Sequence, residues 1–252
     1  MKFVCYEKDK EKKFGLVKDD RIQEAKGDVF SEFWLTEKTI PLDAVKILPP
    51  CAPTKIIAIG LNYRSHAEEM NMTIPEEPMV FMKPPSAVIG PDEAIIYPEM
   101  SKQVDYEGEL GVVIGAKCRF VSEEDAEKYI LGYTCFNDVT ARDLQRKDTQ
   151  FIRAKGFDTF APLGPFIETD IDPDKVKIET FLNGEKRQSG ATNDLIFPVK
   201  RLVSFLSKIM TLCPGDIIAT GTPGGIGPMK TGDIVEVKIE GIGSLRNRVA
   251  GL

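Results

Sequence analysis

The chain has 252 residues, with 33 Lys and Arg against 39 Asp and Glu, a formal charge of −6 at pH 7. Charged residues make up 29% and hydrophobic ones 42%, too apolar for a disordered chain and ordinary for one large domain, or a large one with a small appendage. A mildly acidic chain with no basic stripe argues against nucleic acid and anionic membrane faces as partners, and the longest apolar stretches are far too short to span a bilayer.

From the N-terminus, residues 1–10 turn charged before an apolar signal core could form, so a cytoplasmic protein is expected. Residues 2–6 and 14–17 read as short strands around the charged turn 7–13, a hairpin pattern. The chain then runs polar until Leu48-Pro49-Pro50-Cys51-Ala52-Pro53, a stiff connector. It predicts a boundary between a small N-terminal domain, residues 1–52, and a larger one, residues 53–252. Residues 55–60 form an apolar run of strand length that ends in glycine, and 105–115 and 233–239 are further strands. Residues 176–182 and those after Asn183-Gly184 predict a hairpin, because Asn-Gly suits a type I′ turn.

Helices are fewer. Ser122-Glu-Glu-Asp125 has the form of a capping box opening a helix to about residue 131. Residues 198–212 are the clearest helix, with Pro198 at the start and Val199, Leu202, Val203, Leu206, Ile209 and Met210 on one face. It stops at Pro214-Gly215-Asp216. Many strands, few helices, 17 Pro and 21 Gly predict a strand-rich α+β fold and not a regular βαβ repeat. The five cysteines are odd in number and form no CxxC pair, which points to reduced structural thiols. The Lys and Glu content is compatible with a thermophilic source.

The sole histidine, His66, has Glu69 three residues on, so on a helical turn the carboxylate could orient the imidazole for proton transfer. An isolated pair of this spacing is more often a surface helix pair. In Val104-Asp-Tyr-Glu-Gly-Glu-Leu-Gly-Val-Val-Ile-Gly115, Glu107 and Glu109 alternate with Gly108 ahead of an apolar run. On a strand the two carboxylates share a face, about 7 Å apart at Cα. Buried like charges call for a cation between them, and an all-carboxylate site selects a hard ion such as Mg²⁺, Mn²⁺ or Ca²⁺. A solvated strand face is the competing reading. Asp105 has the same parity. Asp138 stands before the short helical segment 140–146, where an acid can be aimed into a site, or where Asp138 or Asn137 can act as an N-cap.

The stretch 220–233 is glycine-rich but fits neither GxxxxGK[ST] nor GxGxxG; a tight loop presenting N–H groups and Thr222 to a small ligand stays open. Lys83 and Lys155 stand beside stiff, poorly solvated neighbours, as buried cations do, although most lysines are surface residues.

Taken in order, GLNYRSHAEE at 60–69, FMKPPSAVIG at 81–90, YEGELGVVIG at 106–115, NDVTARDLQ at 137–145, AKGFDTFAPLGP at 154–165 and TGTPGGIG at 220–227 resemble the fumarylacetoacetate hydrolase family. The resemblance covers roughly residues 54–252. It implies a mixed, multilayered β-roll, often preceded by a small N-terminal domain, and a homodimer. It also implies that Glu107, Glu109 and Asp138 hold a divalent metal, Mg²⁺ or Mn²⁺ with Ca²⁺ as an option. His66 and Glu69 then match the water-activating dyad of the smaller members, carried on a segment that orders as a lid. Lys155 matches the lysine that stabilises an oxyanion, and Arg142, Gln145 and Thr222 match substrate-contacting positions. Asp105 is not among the ligands of the smaller members.

The implied reaction is cleavage of a C–C bond in an acylpyruvate or related β-diketo acid through a metal-stabilised enolate. The same enolate serves an isomerase of 2-hydroxydienoic or 2-oxo dicarboxylic acids and an oxaloacetate-type decarboxylase. A binding module that holds 2-oxo acids without turnover is the reading from a different class.

Overall fold

In the computed structural model, which describes residues 1–251, the most apolar runs of the sequence form the centre of a 12-stranded sheet. Strand Gly108–Ile114 is buried at every position, and with both faces covered it is continuously apolar after Glu109 and not alternating. It pairs antiparallel with Ile130–Asn137 on one side and Ile217–Ala219 on the other. Ile217–Ala219 runs parallel to Ile56–Gly60, whose other neighbour is Met79–Lys83 at the sheet edge. The register places Gly108, Asn137, Ala219 and Gly60 at one end of these four strands. The segments carrying Glu107, Asp138, Thr222 and His66 therefore all leave the sheet at that end.

The N-terminal hairpin forms between Lys2–Lys8 and Glu11–Lys18. Its ladder runs further than the charge pattern predicted, because Asp9 and Lys10 turn the chain in two residues at φ 53° and 65°. Lys2–Lys8 also pairs with Ala161–Glu168, so residues of the first segment extend the large sheet.

A five-stranded sheet lies over the first. It contains the hairpin of Lys177–Leu182 and Glu185–Ala191, turning at Asn183-Gly184 as the sequence predicted. Leu110 and Val112 from the large sheet, Ile178, Val237 and Leu245 from the smaller one, and Leu202 and Leu206 from helix Val199–Ile209 share one buried cluster. A three-stranded sheet completes this strand-rich, multilayered α+β architecture, in which the described residues form no closed barrel.

Three local expectations are corrected. Residues 122–131 are not an α-helix: Ser122 Oγ accepts the Asp125 N–H, but only a 3-10 turn follows at Ala126–Tyr129 before the chain enters strand Ile130–Asn137. Helix Val199–Ile209 buries Val199, Leu202, Val203 and Leu206 as predicted but leaves Ile209 51% exposed, because the helix ends there. The strand predicted over 105–115 is two strands, Val104–Tyr106 and Gly108–Ile114, in different sheets. Among the described residues no helix is long and apolar enough to cross a membrane.

Candidate active site

The break between those two strands falls at Glu107. Its N–H donates to Asn137 Oδ1 at 3.0 Å and its carbonyl accepts the Asp138 N–H at 2.8 Å. Asn137 is thus a clamp on Glu107 and not a helix cap, and the segment after it places Asp138 beside Glu107. Carboxylate oxygens of Glu107, Glu109 and Asp138 lie within 4.8 Å of one another, and all three residues are buried. Simple strand parity does not account for this, since Glu107 lies between strands; the clamp does. Asp105 stays apart and accepts Arg142 Nε at 2.8 Å and Gln103 Nε2 at 3.1 Å.

Three cations neutralise most of the buried charge. Lys155 Nζ, 2% exposed, donates to Glu107 Oε2 at 2.8 Å and to Asp138 Oδ2 at 2.6 Å. Lys83 Nζ donates to Asp138 Oδ1 at 2.5 Å and to the Val139 carbonyl at 2.9 Å. Arg142 forks across Asp105, Glu107 and the Gln145 side chain. Burial alone would push the Glu107 carboxyl up, but the Lys155 and Arg142 charges outweigh it and hold it down at about 2. Burial lowers Lys83 to about 8 against the pull of Asp138. Burial opposes the charge on Lys155 as well, yet Asp138 and Glu107 raise it above the ordinary lysine value. The Lys155 ammonium also sits 4.9 Å from the centre of the Phe81 ring.

Glu109 is different. Its carboxylate accepts the Gly221 N–H at 2.9 Å and has no cationic side chain within ion-pair distance among the described residues. Burial first, and then the charges of Asp138 and Glu107, push its carboxyl well above the usual carboxylate range. An all-oxygen donor set with one uncompensated buried carboxylate fits a hard divalent cation.

His66 and Glu69 lie on the short helix Arg64–Glu69 that follows strand Ile56–Gly60. His66 is 8% exposed, and its Nδ1 is 3.0 Å from Glu69 Oε2. A carboxylate can only accept, so in the neutral imidazole this contact puts the proton on Nδ1 and leaves the Nε2 lone pair free. The start of the helix is pinned by Ser65 Oγ donating to Asp194 Oδ2 at 2.5 Å. Asn62 Nδ2 donates to the Thr220 carbonyl at 2.7 Å and so ties the same segment to the glycine-rich loop.

That loop is not a phosphate cradle. A Cβ on Gly221, which has φ +97°, would stand 2.7 Å from Asn62 Cβ, and one on Gly224 would stand 2.4 Å from Glu69 Oε2. These glycines let the loop pass directly against the dyad segment. Thr222 Oγ1 donates to the Gly108 carbonyl at 2.9 Å.

His66, the three carboxylates, Lys155, Arg142, Gln145 and Thr222 line one cavity of about 540 Å³. The lining also includes the apolar Met70, Met72, Met79, Phe81, Phe151 and Ile226, of which the first three are about half exposed. Glu69 stands behind His66 and is not itself in the lining. A larger, more open cleft of about 930 Å³ lies elsewhere, between residues 19–21, 41–47 and 91–93. Its acids Asp19, Asp20, Asp43 and Asp92 are exposed, and Glu93 is already held by the Lys46 ammonium at 3.0 Å and the Gly90 N–H at 2.7 Å. Motif reading passed over Asn62 and Gln188 and took Asn137 only as a possible N-cap; Asn62 and Asn137 stand inside motifs beside more reactive residues, and Gln188 lies outside every motif.

The fumarylacetoacetate (FAA) hydrolase C-terminal family model matches residues 55–250, and the Rv2993c-like N-terminal model matches residues 1–50. The chain is similar to an uncharacterized protein of Archaeoglobus fulgidus, 59% identical over 92% of this chain and 93% of the other. It is similar to oxaloacetate tautomerase YisK of Bacillus subtilis, 46% identical over 82% of this chain and 74% of that one. It is also similar to the 2,4-didehydro-3-deoxy-L-rhamnonate hydrolase of a Sphingomonas strain, 44% identical over 78% and 73%. Among solved structures, a 5-carboxymethyl-2-hydroxymuconate delta-isomerase from Mycobacterium smegmatis superposes with a TM-score of 0.94 at 42% identity, over 100% of both chains. A maleylpyruvate hydrolase from Sphingobium, in complex with manganese(II) and pyruvate, superposes with a TM-score of 0.82 at 29% identity, over 100% and 99%.

Proposed function

The chain belongs to the fumarylacetoacetate hydrolase family of enzymes, and from that premise we propose that it is a divalent-metal-dependent hydrolase cleaving the C3–C4 bond of an acylpyruvate or related 2,4-dioxo acid. The observation that carries this reading is that His66, hydrogen-bonded to Glu69, lines the same cavity as the Glu107, Glu109 and Asp138 carboxylates. Glu107, Glu109 and Asp138 would hold a divalent cation, Mg²⁺ or Mn²⁺, which would supply Lewis-acid polarisation of the 2-oxo acid end. The manganese- and pyruvate-bound neighbour supports that choice of ion and ligand class.

His66, with its proton fixed on Nδ1 by Glu69, takes a proton from water through Nε2, and the water oxygen adds to the C4 carbonyl. Two of the three Lys155 ammonium protons are held by Glu107 and Asp138, which leaves one for the oxygen that gains charge at C4. Collapse of that adduct breaks C3–C4, the bond pair passing to C3, and a proton returned to C3 gives pyruvate and a carboxylic acid. The apolar side chains of Met70, Met72, Met79 and Phe81 in the lining suit the acyl end of the substrate.

A second reading is proton transfer at C3 without cleavage. It is supported by the similarity to an oxaloacetate tautomerase and to an isomerase, and it needs the same His66 base. The test offers acetylpyruvate and oxaloacetate side by side to the metal-loaded protein and measures pyruvate. Faster release from acetylpyruvate supports the hydrolase, and faster release from oxaloacetate makes the protein a decarboxylase. Release from neither, with metal bound, rules out cleavage of these two substrates and leaves the proton-transfer reading or a longer acylpyruvate.

A further inference from the structure

Gln188 is fully buried in strand Glu185–Ala191 of the five-stranded sheet, a layer away from the strands that carry the carboxylates. The ladder between that strand and Lys177–Leu182 shifts after Thr180: Thr180 faces Gln188, whereas Phe181 faces Lys186, so Arg187 is an extra residue. Such a bulge re-aims the next side chain. Gln188 is turned onto the large sheet, where its Oε1 accepts the Gly108 N–H at 3.0 Å. Its Nε2 donates to Thr222 Oγ1 at 2.8 Å and to the Pro223 carbonyl at 2.8 Å. Thr222 Oγ1 in turn donates to the Gly108 carbonyl at 2.9 Å. Both polar groups of Gly108, the residue between Glu107 and Glu109, are therefore held by side chains.

This closeness depends on glycine. A Cβ on Gly108 would meet Thr180 Oγ1 at 2.2 Å, and one on Gly225 would meet the Arg187 carbonyl at 2.3 Å, so the glycine-rich loop rests on the bulge itself. The loop held by Gln188 at Thr222 and Pro223 also presents the Gly221 N–H to Glu109.

We infer that Gln188 is a positioning residue for the carboxylate site, fixing the Gly108 peptide and the 221–223 loop so that Glu107 and Glu109 converge. Rotation of the Gly108 peptide would swing the two carboxylates apart, and displacement of the loop would release Glu109 from Gly221. The inference rests on the proposed metal-binding role of Glu107, Glu109 and Asp138.

The test is Mn²⁺ titration of the full-length protein by calorimetry, for wild type, Gln188→Met, Gln188→Asn and Thr180→Val, at a temperature where circular dichroism shows each to be folded. Groups behind metal ligands typically contribute about 10- to 100-fold in affinity, and a loss of that size is expected for both Gln188 variants. Gln188→Asn keeps the amide but lacks the reach to bridge Gly108 and Thr222, and it decides the matter if Gln188→Met does not fold. Thr180→Val removes a buried hydroxyl that makes no hydrogen bond in the same contact, so it should bind Mn²⁺ as wild type does. A folded Gln188 variant with wild-type affinity overturns the inference, as does an equal loss in Thr180→Val, which would make the effect one of general packing. Failure of the wild type to bind Mn²⁺ would instead refute the metal site and the inference with it.

Discussion

Gly224→Ala tests whether Glu69 works through His66. The backbone at Gly224 lies outside the left-handed region, so alanine fits the chain without strain. Its methyl group would stand 2.4 Å from Glu69 Oε2 and 3.2 Å from Glu69 Cδ, and ordinary contact starts at 3.4 Å. The carboxylate must therefore retreat by about 1 Å, more than a 3.0 Å hydrogen bond to His66 Nδ1 can absorb. Because the Glu69 side chain is 52% exposed, it can swing into water, and the fold should lose little stability. A misplacement of about 1 Å in a catalytic constellation costs about 10²-fold in rate, which is the expected fall in kcat for pyruvate release. Mn²⁺ affinity should stay at the wild-type value. Glu69→Ala should cause a similar loss, and adding Gly224→Ala to it should cause no more, since the two act on one contact. Full activity in Gly224→Ala, or losses that multiply in the double variant, would refute this chain of reasoning.

Other expectations follow from the same geometry. His66→Ala should reduce hydrolysis by about 10²- to 10⁴-fold while calorimetry finds Mn²⁺ binding unchanged, because the imidazole is hydrogen-bonded to Glu69 and to none of Glu107, Glu109 and Asp138. Glu109→Gln should abolish the rise in melting temperature that metal gives the wild type, yet the metal-free variant should melt higher than metal-free wild type at pH 7. The sign comes from its raised carboxyl pKa: such a group costs stability above its unfolded-state value, and the cost fades as pH falls toward that value. Asp216→Ala tests the fold away from the site. This fully buried carboxylate accepts the N–H groups of Thr54, Lys55 and Cys213, the Thr54 hydroxyl and the Lys55 ammonium. Its removal should cost about 3–5 kcal/mol in chemical denaturation, with Mn²⁺ affinity unchanged.

The pieces legible in the sequence were those whose chemistry is local. The apolar run after Glu109, the Asn183-Gly184 turn and the amphipathic face of the 198–212 segment each reflect neighbours within a few residues, and each formed close to its expected place. The acids and the histidine stood out as residue types, and their motif order marked them as parts of one site. What stayed hidden depends on distant partners. The break at Glu107 is set by Asn137, 30 residues away, and Gln188 is 80 residues from Gly108 with nothing nearby to distinguish it from any strand glutamine. The helix expected after Ser122 shows the reverse error. The capping turn is real, but sheet pairing from Ile130 onward outweighs a weak local signal.

Proton NMR of acetylpyruvate incubated in D₂O with the Mg²⁺-loaded protein separates cleavage from proton transfer in one spectrum. Acetate and pyruvate should appear in equal amounts, at a rate that collapses in His66→Ala. Deuterium entering C3 faster than in a protein-free control, with no acetate formed, would contradict the hydrolase reading and leave a tautomerase or isomerase in its place.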